Sequence, residues 1–214
     1  METLQTLERG LIALEIIAQQ HAELTVAQLA EQLKINRTIA YRITRTLSSM
    51  GYIKTNDNQC LELTSKISAL NCYFEKTIPY AAQQVLNLLA QETQSSASLV
   101  IAEGTDCVVV KTAAANSNQI QINYQLGSRL SIGHAASGLA IASTFPAKEN
   151  DSAELKQVRE LGYAYSKGIF QKDAIGIFMP LPGRHMAIGI VHLGDVKKEE
   201  ILIKLRQAIE SLSH

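Results

Sequence analysis

Apolar residues recur at helical spacing through the first third of the chain and predict three short helices. Over residues 3–20, leucine and isoleucine return every three or four positions, which predicts an amphipathic helix. A second helix of about nine residues is predicted after Thr25, and a third after Asn36, because both residues are good N-caps. The third helix is expected to end at Gly51. Its predicted apolar face consists of Ile39, Ile43, Leu47 and Met50.

The pattern changes to short alternating segments after the third helix. Residues 52–54 and 60–63 are predicted strands, and the turn-forming residues 55–58 separate them. Three helices followed by a β-hairpin is the element order of a winged helix-turn-helix. A further helix is predicted over residues 64–76. We therefore predict a DNA-binding domain over residues 1–63, a linker helix over 64–76 and a second domain over 77–214.

The second domain alternates between helical and strand patterns, which predicts an α+β fold with a largely antiparallel sheet. Its first helix is expected to turn Val85, Leu88 and Leu89 inward. The predicted elements, in chain order, are a helix over 80–93, strands over 97–103, 107–112 and 120–124, helices over 135–143 and 152–161, strands over 175–181 and 186–193, and a helix over 198–212.

Composition excludes several classes of protein. Hydrophobic residues make up 46% of the 214 residues, and 20 basic residues balance 20 acidic ones, so neither disorder nor a generally basic surface is indicated. No apolar run is long enough for a membrane span, and the first residues include Glu2 and Glu8 where a signal peptide would be basic. The three cysteines are widely spaced. We expect a cytoplasmic protein without a disulfide, a metal site or a cofactor.

The balanced total charge conceals a local excess of positive charge. Residues 32–56 contain five basic residues and no acidic one, a net charge of +5. These residues are Lys34, Arg37, Arg42, Arg45 and Lys54. Positive charge concentrated on the third helix and the strand after it is what a recognition helix needs, since phosphate neutralisation supplies much of the affinity for DNA.

Helical spacing places polar side chains opposite the apolar face of the third helix. In its first turn, Arg37 and Thr38 would lie nearest the base edges, whereas Arg42 and Arg45 are expected to contact the phosphate backbone. The alternative is an ordinary solvated basic face. The candidate DNA contacts are Thr25, Asn36, Arg37, Thr38, Tyr41, Arg42 and Arg45 in the helical region, and Lys54, Asn56 and Asn58 in the wing.

Three segments of the sequence resemble the IclR-type bacterial transcriptional regulators. The first is TVAQLAEQLKINRTIAYRITRTLSSMGYI, in the helix-turn-helix region. The second is LGSRLSIGHAASGLAIAS, and the third is VRELGYAYSKG followed by AIGIFMPLPGRHMAIGIVHLG. The resemblance extends from about residue 4 to 212. It implies a winged helix-turn-helix, a GAF-like α+β effector domain, and a homodimer or dimer of dimers on operator DNA, with repression favoured over activation.

The sequence departs from the family pattern in three places. Lys34-Ile35-Asn36 replaces the usual glycine-containing turn, with Ile39 and Tyr41 in place of commoner residues, so the operator is expected to differ. The stretch between Ala142 and Val158 is shorter than usual. Finally, the family's acid-binding positions fall near Ser166 and at Gly176, Val191 and Leu193. A more apolar or aromatic effector is therefore expected, or a degenerate pocket that binds nothing.

The remaining candidate ligand site is the loop leading into the helix predicted at 135–143. Small residues there would let an anionic group approach backbone N–H donors, although they could equally serve close packing alone. The candidate effector contacts are Gly133, His134, Ala135, Ser137, Gly176 and Val191. No catalytic motif is present, and His134 and Ser137 lack a third partner for a catalytic triad, so no enzyme activity is expected. The alternative function is a ligand-independent DNA-binding or protein-interaction module.

Overall fold

The structure is a computed structural model and describes residues 3–20, 23–115, 122 and 124–212. The chain divides into two compact units, Met1–Ile78 and Pro79–His214. The finer division that the sequence predicts, with a separate linker segment at 64–76, remains a prediction. No helix in the described ranges has the length and apolar character needed to cross a membrane.

The amino-terminal unit is a winged helix-turn-helix, as predicted. Its second helix has seven residues instead of about nine. The wing is a two-stranded antiparallel hairpin in which Lys54 lies opposite Glu62. The elements of this unit are α1 (Gln5–Gln19), α2 (Val26–Gln32), α3 (Arg37–Ser49), β1 (Ile53–Thr55), β2 (Leu61–Leu63) and α4 (Lys66–Glu75).

Side-chain caps determine where α2 and α3 begin. The Thr25 hydroxyl accepts a hydrogen bond from the Gln28 backbone N–H, and the Gln28 side chain accepts one from the Thr25 N–H at 2.8 Å, which is a capping box. At the start of α3, Asn36 Oδ1 accepts from the Thr38 N–H at 2.8 Å. Each cap contributes about 1 kcal/mol. Met50, expected on the apolar face, is exposed instead, because it is already the C-cap residue of α3.

One hydrophobic core holds the three helices and the wing together. The Leu61 N–H donates to the Leu24 carbonyl at 2.8 Å, which ties the wing to the chain before α2. With its apolar side in this core, α3 leaves its polar side in solvent. The buried members of the core are Ala13, Ile17, Leu24, Leu29, Ile43, Ile53 and Leu61.

The carboxy-terminal unit is an α+β domain with one six-stranded antiparallel sheet, which confirms the predicted fold class. The strand order is β5-β4-β3-β8-β7-β6. The elements are α5 (Ala82–Thr93), β3 (Ser96–Glu103), β4 (Asp106–Ala113), β5 (Arg129–Ser131), α6 (Ala135–Ser143), α7 (Ala153–Leu161), β6 (Ala164–Lys167), β7 (Ala174–Pro180), β8 (Met186–Leu193) and α8 (Lys198–Leu212).

Helices cover both faces of the central strands. Six consecutive residues of β3, Ser96–Ile101, are buried, so side chains on both faces of this strand are shielded from water. Helix α6 packs on one face, where it contacts β3, β4, β6, β7 and β8. Helices α5 and α8 pack against each other and against strands of the sheet. Strand β3 is therefore a core element, and its pairing register with its neighbours has little freedom to shift.

Some sequence predictions for this unit were wrong in detail. Leu88, expected to point inward, is 60% exposed, because Ala82, Leu86, Leu89 and Ala90 form the buried face of α5 and helical spacing places Leu88 outside it. The strand predicted at 120–124 lies largely outside the described residues, and neither Ile122 nor Tyr124 belongs to a strand. The short strands β5 and β6 were not predicted.

Gly189 provides a test of the packing in the middle of the sheet. A Cβ atom there would overlap the Phe178 ring and the Ile177 carbonyl oxygen. We predict that Gly189→Ala lowers the free energy of unfolding of this unit by at least about 2 kcal/mol. Gly10→Ala, in α1 of the other unit, is the control, because a Cβ there meets no heavy atom within 4 Å. Urea denaturation followed by circular dichroism measures both, and equal losses would contradict this packing.

Candidate functional sites

The polar face of α3 is exposed and free of acidic partners. Within the described part of the chain, none of its three arginines forms an ion pair, and Tyr41 is 60% exposed. Ile43 and Ala40, on the other side of the helix, are buried in the core of the unit. The exposed residues are Arg37, Thr38, Tyr41, Arg42 and Arg45, the five side chains that helical spacing predicted for this face.

The first turn of α3 borders an open groove. Asn36 caps the helix through its side chain, which leaves the neighbouring Arg37 and Thr38 side chains directed away from the core and exposed. The groove has a volume of about 460 Å³. It is lined by Ala27, Ala30, Glu31, Lys34, Ile35, Asn36 and Arg37. Cationic side chains and a helix N-terminus at one surface favour the approach of an anion such as a phosphate.

The wing residues are more constrained than the sequence suggested. Lys54 Nζ lies 3.1 Å from Glu62 Oε2, and Asn56 Nδ2 donates to Glu62 Oε1 at 2.9 Å. The hydrogen bond from Asn56 and the neighbouring Lys54 ammonium lower the pKa of Glu62. Lys54 is largely exposed and Glu62 is partly exposed, so their ion pair contributes little to stability and can be exchanged for a contact with a phosphate.

Asn56 and Asn58 also build the turn of the wing. Asn56 Oδ1 accepts hydrogen bonds from the backbone N–H groups of Asn58 at 3.0 Å and Cys60 at 2.9 Å. Asn58 Nδ2 donates to Glu23 Oε1 at 2.8 Å. Thr25 is similarly occupied, since its hydroxyl belongs to the cap of α2. For these three residues a structural role is visible in the described chain, and their contact with DNA remains a prediction.

The candidate effector residues meet where the first turn of α6 lies against the sheet. Sheet register places Ser166 of β6 opposite Gly176 of β7, and Gly176 opposite Val191 of β8. The Ala136 backbone N–H donates to Ser166 Oγ at 3.2 Å. Gly176 has no side chain, and a Cβ there would lie 3.4 Å from that of Ala136. The structure thus brings residues that are far apart in sequence to one side of the sheet.

The backbone at the start of α6 is unusual. His134 is the N-cap but forms no capping hydrogen bond through its side chain. Ala135 has a φ of 54°, a left-handed conformation that is rare for a residue with a Cβ and costs about 1 kcal/mol or more. His134 is exposed, whereas Ala135 and Ser137 are buried. The strained turn holds the first N–H groups of the helix toward the sheet.

Two hydroxyl groups are fully buried on this side of the sheet, those of Ser137 in α6 and Ser98 in β3. Ser98 has no hydrogen-bond partner among the described residues, whereas Ser137 interacts with the Cys107 thiol and the Tyr124 hydroxyl. An unpaired buried hydroxyl costs about 1–3 kcal/mol. Cys107 and Tyr124 lie beside Ser137. Burial raises the pKa of the Cys107 thiol to about 11 and also raises the pKa of the Tyr124 hydroxyl, so both groups are uncharged at neutral pH.

Aromatic rings stand at the outer end of this region. The Phe170 ring makes edge contacts with His134, at a centroid distance of 5.7 Å, and with Tyr124, at 6.4 Å. Phe170 is in the loop between β6 and β7 and is about half exposed. Sequence reasoning missed Phe170, Tyr124 and Ser98 as parts of this region, because no local pattern connects them and only the sheet topology does.

Arg159 fixes the other end of α6, and sequence reasoning missed it too. Its guanidinium donates to the carbonyl oxygens of Ser143 at 2.7 Å, Phe145 at 2.8 Å and Ala142 at 3.3 Å. It also lies 3.3 Å from the Asp151 carboxylate. A cation at a helix C-terminus stabilises the unpaired carbonyl groups there. Hydrogen bonds therefore hold helix α6 at both ends, to Ser166 at its N-terminus and to Arg159 at its C-terminus.

The described residues contain no group of three or more histidine, cysteine, aspartate or glutamate side chains placed to hold a metal ion. His134 and Ser137 have different environments, since the His134 ring is exposed against Phe170 while the Ser137 hydroxyl is buried next to Cys107. The geometry gives these two residues no shared catalytic role.

Comparison with known proteins identifies the amino-terminal domain. The IclR helix-turn-helix domain family matches residues 6–57. The chain is 27% identical over 127 residues to the Pca regulon regulatory protein of Pseudomonas putida, and 29% identical over 143 residues to the p-hydroxybenzoate hydroxylase transcriptional activator of Acinetobacter baylyi. These alignments cover 58% and 64% of this chain, but only 43% and 52% of the two relatives.

Solved structures match the fold across nearly the whole chain. The Thermotoga maritima IclR aligns with a TM-score of 0.75 at 16% identity, over 99% of this chain and 98% of that one. An IclR homologue from Microbacterium hydrocarbonoxydans, in complex with 4-hydroxybenzoate, aligns with a TM-score of 0.78 at 15% identity, over 97% of both chains. The amino-terminal domain therefore belongs to the IclR helix-turn-helix domain family, and the chain as a whole shares the two-domain fold of these solved structures.

Proposed function

We propose that this protein is a sequence-specific DNA-binding transcriptional regulator that acts in the cytoplasm. The observation that carries the proposal is the exposed face of α3, where Arg37, Arg42 and Arg45 have no acidic partner in the described chain. This face belongs to a domain that matches the IclR helix-turn-helix family. Unpaired arginines on a rigid, capped helix gain more from phosphate contact than arginines already engaged in ion pairs.

Position along α3 divides its side chains into two roles. Arg37 and Thr38 lie in the first turn, which in helix-turn-helix proteins enters the major groove, so they read base edges. Arg42 and Arg45 lie further along the helix and bind the phosphate backbone. The wing adds Lys54, whose exposed ion pair with Glu62 opens when a phosphate takes the carboxylate's place.

We further propose that the protein acts as a homodimer or a dimer of dimers. The N-cap residue Leu4 and the α1 residues Leu7 and Leu11 are exposed, with exposed fractions of 77%, 60% and 55%. An apolar stripe of this kind favours association with an identical stripe on a second copy. A two-fold dimer places two recognition helices on the half-sites of a palindromic operator.

The carboxy-terminal unit, in this proposal, binds a small apolar or aromatic effector where α6 meets the sheet. Support comes from the buried hydroxyls of Ser98 and Ser137 and from the aromatic rings around Phe170. Two relatives named above are associated with hydroxybenzoates, one through the gene it activates and one through its bound ligand. An effector that binds more tightly to the dimer with one spacing of its two recognition helices changes the fraction of dimers able to bind the operator. We favour repression over activation as the regulatory outcome.

A second candidate function is a ligand-independent module that binds DNA constitutively or pairs with a relative. The observation favouring it is that the acid-binding positions of the family carry Gly176 and Val191 here, so that pocket is not reproduced. This function shares the DNA-binding face of α3 with the main proposal and differs only in the carboxy-terminal unit.

Arg42→Ala and Arg45→Ala test the phosphate contacts. We predict that each variant weakens binding to every DNA fragment and reduces the slope of log affinity against log salt by about 1, since each removes one phosphate contact. Fluorescence anisotropy titrations across a salt series measure both quantities. Arg206→Ala, an exposed arginine of the other unit, is the control and leaves the slope unchanged. Unchanged slopes in both α3 variants would show that this helix does not contact DNA.

Thr38→Ala tests base reading. We predict that it reduces operator affinity by about tenfold, equivalent to about 1.4 kcal/mol, and changes affinity for random DNA much less. The cap of α3 uses the Thr38 backbone N–H and not its hydroxyl, so the helix start is preserved. Competition titrations with operator and random duplexes compare the two losses. Equal losses on both would refute a base-reading role.

An effector test separates the two candidate functions. A compound that binds the carboxy-terminal unit raises the melting temperature of the protein when present in excess, because it stabilises only the folded state. The main proposal predicts that some small aromatic compound does this and also shifts the DNA affinity. A thermal-shift screen followed by anisotropy measures both effects. If no compound produces a shift, the result favours the ligand-independent module.

A further inference from the structure

Lys34 has a backbone conformation that is rare for a residue with a side chain. Its φ is 53°, in the left-handed region, where a Cβ crowds the following carbonyl oxygen. The residue lies just after the C-terminal end of α2. Its N–H donates to the Glu31 carbonyl at 3.1 Å, and the Ile35 N–H donates to the Ala30 carbonyl at 3.0 Å. These two hydrogen bonds form a Schellman motif, which ends the helix and turns the chain toward α3.

The turn by itself does not require a lysine. Glycine adopts left-handed backbone angles without steric cost and is the usual residue at this position of a Schellman motif. The chain uses glycine in this way after α7, where Gly162 has a φ of 75°. Strained residues other than glycine cluster at functional sites. The side chain of Lys34 is therefore the feature that needs an explanation.

The Lys34 ammonium is available to an external anion. Lys34 is exposed, and across the described residues its Nζ takes part in no ion pair. Glu31 lies three residues earlier, a spacing at which side chains on a helix can meet, but the two side chains are not paired. The lysine thus contributes no ion pair to the stability of the unit in return for its strained backbone.

Lys34 and Arg37 line the same groove, next to the first turn of α3. Both side chains are exposed, and with Glu31 as the one acidic residue of the lining they give the groove a net charge of +1. Because Arg37 belongs to the exposed face of α3, a duplex that contacts this face passes beside the groove. A lysine has a long flexible stem that carries its charge to a nearby phosphate. The occupant that this surface favours is therefore a phosphate of the DNA backbone.

We propose that Lys34 is a further DNA-contacting residue, which binds a backbone phosphate beside the first turn of α3. This inference rests on the proposed function, in which α3 enters the major groove. The contact pairs an ammonium that is unpaired in the free protein, and it attaches the turn between α2 and α3 to the duplex. Lys34 therefore positions α3 without reading a base, and its contribution to affinity is the same on every DNA sequence.

Three substitutions of Lys34 separate its charge from its backbone strain. Lys34→Gly removes both, Lys34→Gln removes only the charge, and Lys34→Arg keeps both. One phosphate contact contributes about 0.9 to the slope of log affinity against log salt. We expect Lys34→Gly and Lys34→Gln to lose that much slope and about five- to tenfold in affinity at roughly 0.1 M salt. Lys34→Arg is expected to stay within about twofold of the wild-type affinity, since it can still bind a phosphate. Fluorescence anisotropy on a random-sequence duplex measures these values without an operator.

Thermal unfolding shows whether a loss of affinity comes from a damaged turn. Lys34→Gly is expected to melt at the wild-type temperature or up to about 4 °C above it, because glycine relieves the left-handed strain. A variant that is as stable as the wild type and binds DNA more weakly has lost a contact. Gln94→Gly is the matched control, because Gln94, the C-cap of α5 in the other unit, also has a left-handed φ, of 50°. It is expected to leave DNA affinity and the salt slope unchanged.

Two results would overturn the proposal for Lys34. One is a wild-type salt slope in Lys34→Gly and Lys34→Gln, and the other is a loss in Lys34→Arg as large as theirs. Arg42→Ala, measured in the same series, reports on α3 itself. If its slope falls while the Lys34 variants keep theirs, this inference is wrong and the regulator function stands. A wild-type protein that binds no duplex would contradict both.

Discussion

The close contact between helix α6 and the sheet is the constraint on which the carboxy-terminal unit depends. It is possible because the facing positions carry very small side chains, such as Ala136 above Gly176. Ser166 holds the start of the helix through the Ala136 N–H, and Arg159 binds the carbonyl groups at its end. With the helix fixed at this distance, Ser137 and Cys107 are buried side by side; burial raises the pKa of the thiol to about 11, and the hydrogen bond to Ser137 opposes this shift.

In the amino-terminal unit the core has a different role, because it only has to hold α3 with its polar face exposed. The caps of Thr25 and Asn36 and the buried Ile43 fix α2 and α3, and they leave the arginines of α3 in solvent. In the proposed function, affinity for DNA depends on exposed charge, whereas effector binding takes place in a largely buried region of the other unit. Salt is therefore expected to affect the two binding activities very differently.

Local sequence signals predicted most of the fold and the exposed face of α3, because caps, helical periodicity and turn residues act over a few positions. The same signals missed β5 and β6, which are only three and four residues long and are held by their neighbours in the sheet. They placed Leu88 inward because the buried side of α5 is set by its packing against α8, β3 and β4, which local spacing does not reveal. The grouping of Ser98, Ser137 and Phe170 needed sheet register and could not be found from spacing in the chain.

The most direct test of the central claim is selective DNA binding by the unmodified protein. Fluorescence anisotropy would be measured on fragments from upstream of its own coding sequence and on scrambled duplexes of the same composition, at two salt concentrations. The proposed regulator binds at least one upstream fragment much more tightly than its scrambled counterpart, and keeps that preference at the higher salt concentration. Weak binding that disappears with salt for every fragment would contradict the account, because it would reduce α3 to an ordinary basic surface.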